Sequence, residues 1–129
     1  DNLFTSMTIV RWRTKDFENL RIMLEAIDEE DDPKALVVKA LMNYFNKEVD
    51  AAEGIIIDIL QELPDFIQYL LENDEPDEED FDRADDGDVR SQKKIDAKLL
   101  AEEFREDWFK LKGGKDWLKK VQKVFDEVS

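Results

Sequence analysis

The chain of 129 residues has no cysteine and no histidine. The first absence excludes disulfides, thiolate nucleophiles and zinc sites of the usual Cys/His kind. The second removes Ser-His and Cys-His dyads and the side chain that ordinarily shuttles protons near neutral pH. Long apolar runs are missing as well. The longest, from Gly54 to Leu60, is interrupted by Asp58 and falls far short of the ~20 residues of a membrane span. No segment resembles a signal peptide, and a chain without cysteine suits the reducing cytoplasm, which is the expected compartment. The sequence opens at Asp1 without an initiator methionine, as a trimmed or C-terminal part of a longer protein would.

Charge is what the chain has in excess. Hydrophobic residues make up an ordinary 42%, but charged ones reach 41%, against about 25% in typical domains. The imbalance is one-sided, with 34 acidic against 19 basic residues, a net charge of −15 and a pI near 4.3. A surface of that sign repels phosphate backbones and anionic lipid, so neither direct nucleic-acid binding nor membrane binding is expected. Basic proteins, basic peptides or cations are the natural partners. By length the chain is one domain, able to bury roughly 68% of its unfolded surface.

Apolar periodicity predicts helices almost throughout. Leu3, Phe4, Met7 and Val10 mark a first helix over roughly 3–13, with a short strand through Ile9–Trp12 as the β-branched alternative. Phe17, Leu20, Leu24 and Ile27 mark a second, over 16–28, with Thr14 or Asp16 as its cap, ending in the acidic run Asp28–Asp32. Asp32-Pro33 then opens a third helix, 33–46, with a capping carboxylate followed by a proline whose missing amide hydrogen costs nothing there. That helix is apolar almost all round, which implies burial on several sides. A fourth, 48–62, uses Val49, Ala52, Ile55, Ile56, Ile59 and Leu60, and its Gly54 suggests close helix packing. A short fifth segment follows Pro64, with Phe66, Ile67, Leu70 and Leu71 as its stripe.

Between Asp74 and Asp88 the pattern breaks, with ten carboxylates against one arginine. Such like-charge density opposes compaction, so residues 74–90 are expected to form an acidic loop or linker in which Asp77, Glu78, Glu79 and Asp80 are solvated. Helical order resumes near Ser91, where Ile95, Leu99, Phe104, Trp108 and Leu111 lead to a stop at Gly113-Gly114. A last helix, 115–128, carries Trp117, Leu118, Val121, Val124, Phe125 and Val128. The expected organisation is helical pairs over 1–73, the acidic segment over 74–90, and a C-terminal helical hairpin over 91–129 packed on the same domain.

The stretch from Pro33 to Phe66 also fits a 34-residue ruler, in which Ala52 is position 20, Ile56 position 24 and Pro64 position 32. Other phrases point the same way: Asp1-Asn2 before a helix, Ala40-Leu41 followed by Ala52, Pro64 before Tyr69-Leu70-Leu71, and Trp108 through Gly113-Gly114 to Trp117-Leu118. Together they resemble divergent tetratricopeptide-repeat proteins of bacteria and plants. The chain departs from that group at Glu72, where the group tends to have glycine, and at Lys39 and Asn43, which take the leucine and tyrosine positions unless the helix shifts by one to Ala40 and Tyr44. It also lacks the Cys/His zinc tail of some relatives. The resemblance implies an all-α array of antiparallel helical pairs, closed by a C-terminal hairpin, that contacts other proteins and has no catalytic residues to carry over.

Candidate sites are few. Asp82–Val89 imitates the start of a calcium loop, with Gly87 at the sixth place, but Ala84 and Lys93 occupy the third and twelfth, where oxygen ligands are required. Carboxylate pairs such as Glu102 and Glu106 are what chance spacing among so many acids produces, on a solvated face. Trp108 and Trp117 lie on apolar stripes and so suit a core better than a binding cage, while Trp12 stands between Arg11 and Arg13. Val38, Met42 and Phe45 share one side of the third helix, which in the resemblance looks into the concave groove. The alternative is that they pack on the C-terminal hairpin or a second copy of the chain, so a homodimer remains open. The expected function is non-enzymatic binding of a protein or peptide of basic character, with Val38, Met42, Phe45 and Trp12 as anchors and no cofactor or metal. The rival is an acidic inhibitor of a basic protein, an immunity protein or nucleic-acid mimic, which predicts carboxylates fixed at phosphate-like spacing on rigid helices and is favoured if residues 74–88 are ordered.

Overall fold

The computed structural model describes residues 3–27 and 32–128, which form eight α-helices and no strand. The fold is all-α. Asp1-Asn2 and the acidic run before Asp32 lie outside the described residues. The chain divides into two compact units, Asp1–Ile56 and Ile57–Ser129. The division falls inside a helix rather than at the acidic stretch, because the acidic stretch belongs with the long helix that follows it.

The first unit contains α1 (Leu3–Arg13), α2 (Phe17–Leu24), α3 (Pro33–Phe45) and the first half of α4 (Val49–Glu62). Asp32 caps α3 as expected: its carboxylate accepts the amide of Lys34 at 2.9 Å, and Pro33 takes the first helical position. All-round apolarity in α3 produces burial all round, from Ala35 to Val38 and from Ala40 to Met42. A three-residue break at 46–48 leads to α4. There Lys47 adopts a positive φ of 66° and the Glu48 amide returns to the Asn43 carbonyl at 2.8 Å. Ala52 and Ile56 are fully buried. Gly54 is not a packing point, since a Cβ there would meet nothing within 4 Å.

Both α2 and α3 lean on α1, yet α1 sits the opposite way round from its apolar pattern. Thr5, Thr8 and Trp12 are buried, while Leu3, Phe4, Met7 and Val10, whose spacing marks the helix, are exposed. A buried threonine is tolerated when its hydroxyl is satisfied locally. Thr8 Oγ1 donates to the Thr5 carbonyl at 2.7 Å.

In the second unit α7 (Val89–Lys110) is the spine on which α5 (Phe66–Glu72), α6 (Glu78–Asp85) and α8 (Gly114–Val128) pack. Its 22 residues span about 33 Å at 1.5 Å per residue. The inward stripe is Ala97, Leu100, Ala101, Phe104 and Trp108. Leu99, expected on that stripe, faces out. α5 has only seven residues, too few to hold itself, and α7 completes it. Arg105 donates to the carbonyls of Tyr69 (2.8 Å) and Leu70 (3.0 Å), and Lys98 to the Asn73 amide oxygen at 3.1 Å. Arg105 thus sets a cation against the negative end of the helix, where the Tyr69 carbonyl also accepts the Asn73 amide at 3.0 Å.

α7 and α8 form the expected C-terminal hairpin. Trp108 and Trp117 stack with centroids 5.7 Å apart, and Gly113 turns the chain with φ 73°. Gly114 is required by space, because a Cβ would come within 2.6 Å of the Trp108 carbonyl oxygen. The α8 stripe is buried at Leu118 and Val121 and opens to solvent at Val124 and Val128.

Candidate functional site

The acidic segment corrects its sequence reading: residues 78–85 are a helix, not a loop. Composition alone opposes order here, but the charges are placed where a helix can use them. Glu78, Glu79 and Asp80 fall in the first turn of α6, beside its positive end. The Asp80 carboxylate accepts the Asp77 amide at 3.1 Å, one half of a capping box. Arg83 reaches back to Glu79 at 2.9 Å and Asp80 at 3.5 Å. Gly87 then reverses the chain with φ 93°. Asp88 caps α7, accepting both the amide (3.1 Å) and the hydroxyl (2.7 Å) of Ser91. Those Ser91 hydrogen bonds hold the Asp88 carboxyl below its ordinary pKa.

Asp80 is the joint between α6 and α7. Expected as a solvated loop residue, it is only 5% exposed. Its Oδ1 lies 3.5 Å from Ser91 Oγ and 3.8 Å from Lys94 Nζ, both on α7. Asp77, Glu78 and Glu79 do face solvent, as expected. Phe81 stands among them, 47% exposed, with Asp77 and Glu78 one turn before it and Asp85 one turn after. Sequence reasoning passed over Phe81; the signal was a lone large aromatic inside a run of acids. On the inner side, burial raises the pKa of the Tyr69 phenol, and the charges of Asp65, Asp80, Asp77 and Asp74 push the same way. The calcium-loop reading of 82–89 fails on the same geometry, because its first four residues are helical. Among the described residues no group of three or more carboxylates converges as a metal site would need.

In the first unit the four suggested anchors separate. Val38 is fully buried and Met42 nearly so, which removes Val38 from any surface. Met42 forms one wall of a groove of about 480 Å³ between α2 and α3, with Arg21, Leu24, Glu25, Lys39 and Asn43 around it. Trp12 and Phe45 come together instead, edge to face at 6.1 Å, with Phe17 5.1 Å from Phe45. Rings this close fill the space a cationic ligand would need, so they make a packed cluster rather than a cage. Phe45 alone keeps an open face, at 49% exposure.

No family model matches the chain, and neither a curated protein nor a solved structure does. The tetratricopeptide likeness therefore rests on this chain's own residues. No helix among the described residues is long and apolar enough to cross a membrane.

Proposed function

We propose that this protein is a non-enzymatic helical module that binds a basic protein or peptide, and that α6 is the contact face. The observation that carries the reading is Phe81, an exposed aromatic side chain on an ordered helix, among exposed carboxylates. An exposed aromatic supplies the kind of buried anchor that dominates affinity once covered. The surrounding acids speed encounter with positive partners and reject negative ones. Helical order supports this, since a rigid α6 loses little entropy when it binds. The test is titration of a lysine-rich and an acidic peptide at low and high salt. The lysine-rich peptide should bind, weaken as salt rises, and lose about tenfold or more with Phe81→Ala. Equal, salt-insensitive binding of both peptides would remove the reading.

The order of α6 also favours the second reading, an acidic inhibitor that occupies a basic active site or nucleic-acid groove. Such a mimic needs carboxylates on a rigid support, and Asp80 supplies one by pinning α6 to α7. Competition separates the two: a mimic displaces nucleic acid from a basic protein, whereas a peptide-binding module leaves that complex intact.

A further inference from the structure

We infer that the exposed face of α1 is the docking site for an acidic amphipathic helix of another protein. This does not depend on the function proposed for α6. Leu3 is 77% exposed and Val10 58%, with Met7 and Phe4 also open, while the helix turns threonines inward. Apolar side chains gathered in the open on one helix mark a contact surface. Leu3, Met7 and Val10 follow one another at intervals of four and three residues, so they form a single seam along the helix. With Thr14 they line a shallow trough of about 320 Å³, to which Ser6, Arg11 and Asp16 also contribute. An amphipathic helix laid in such a trough covers the seam with its own apolar side chains at matching three- and four-residue spacing.

Charge selects the partner. The chain has 34 acidic residues, yet none falls in the thirteen from Leu3 to Lys15, which carry Arg11, Arg13 and Lys15. At 3.6 residues per turn Arg11 and Arg13 lie about 80° to either side of Leu3, so the seam has a cation on each flank. Among the described residues that line the trough Asp16 is the one carboxylate. It is held by Arg11 at 2.6 Å and by the Asn19 side-chain amide at 3.1 Å. Arg11 balances Asp16, and Arg13 and Lys15, both exposed, give the stretch its net positive charge. Carboxylates beside the apolar residues of a docked helix meet those cations. The whole molecule carries −15, but the screening length at physiological ionic strength is about 8 Å, so a docked helix feels the sign of α1 rather than the total. Other anionic partners fit less well. A phosphate backbone has nothing with which to cover Leu3, Met7 and Val10, and an anionic bilayer, far wider than α1, opposes the charge of the whole molecule. The contact is small, since α1 has 11 residues and is about 16 Å long. Binding should be transient, with a dissociation constant above about 1 μM.

The test is a titration of the full chain with a synthetic amphipathic helix that carries leucine on one face and glutamate on the other. The same peptide with glutamine in place of glutamate is the control, and the NMR signals of the Met7 and Val10 methyl groups report binding. The glutamate peptide should bind about threefold or more tighter than the glutamine one. Val10→Gln, a change at an exposed position, should leave the helical circular dichroism intact and weaken the glutamate peptide about tenfold. Arg13→Gln should weaken it about twofold to fivefold and leave the glutamine peptide unchanged. Phe81→Ala should affect neither peptide, so this idea and the one for α6 fail separately. Equal binding of the two peptides would overturn the inference, as would no binding at millimolar peptide or full affinity in Val10→Gln. A dimer of the wild type in sedimentation equilibrium, abolished by Val10→Gln, would overturn it in favour of a second copy. Binding to anionic vesicles, abolished by the same change, would overturn it in favour of a lipid surface.

Discussion

α1 and α6 are both attached to their units with little help from aliphatic side chains, but by opposite means. α1 turns two threonines inward, relies on Trp12 for apolar contact and leaves its aliphatic residues in water. α6 turns a carboxylate inward and surrounds it with partners from the neighbouring helix. Thr8 is satisfied inside its own helix, so its hydroxyl says nothing about where α1 sits. Asp80 is satisfied from its own helix and from α7, so it fixes both the start of α6 and its docking. The difference is that a buried polar group specifies packing only when its partners lie on another element.

Substitutions can break this contrast, and the largest effect should come from neither helix. Trp108 is fully buried and stacks on Trp117. Trp108→Ala should cost about 3–5 kcal/mol, measured by denaturant unfolding, because it removes contact area and leaves a void that α7 and α8 cannot close. A cost no larger than that of an exposed substitution would mean that α7 and α8 do not pack through this stack. Next is Asp80→Ala, at about 1–3 kcal/mol, since it removes the acceptor of the Asp77 amide at the start of α6 and the buried charge that faces Lys94 on α7. Hydrogen exchange should show α6 amides losing protection while the middle of α7 keeps it. Uniform loss across both helices would mean that Asp80 supports the unit as a whole.

The first turn of α7 offers a smaller, pH-dependent effect. The folded Asp88 carboxyl titrates below its ordinary 3.8 because Ser91 donates to it. A lowered folded pKa means that the stabilisation is complete above the unfolded value and is lost as pH falls through the folded one. Protection of the Ser91 amide should thus hold at neutral pH and decline below about pH 4. In Ser91→Ala the Asp88 titration, followed by carboxyl NMR, should move back up. A titration unchanged by that substitution would assign the shift to the retained amide of residue 91, with Arg83 and Arg90, rather than to the hydroxyl.

Much of this fold can be read from residue order, and the rest is hidden for identifiable reasons. Asp32-Pro33, Gly113-Gly114 and the apolar spacing of α3 and α8 carry local rules, and the helices begin and end close to where those rules place them. α6 is hidden because a net charge summed over a segment takes no account of where along it the charges fall. Asp77 followed by Asp80 three residues later is a cap, and Asp88 before Ser91 is another. The α1 stripe shows the limit of periodicity, which locates a face without saying whether water or protein covers it. Pairing of Trp12 with Phe45 joins residues far apart in sequence, so no local pattern contains it. Phe81 becomes conspicuous only once its helix is known to exist.

The smallest prediction tests the α1 side of the comparison. Thr8→Val keeps the shape of the side chain and removes a hydroxyl whose acceptor is a carbonyl one turn back in the same helix. That carbonyl belongs to the interior of α1, so losing the extra donor leaves no essential partner stranded, and the added methyl is apolar in a buried place. The change in unfolding free energy should stay within about 0.5 kcal/mol of zero. A loss as large as that of Asp80→Ala would show that Thr8 also holds α1 to its neighbours. The two helices would then follow one rule after all: a buried polar side chain would fix the docking of each.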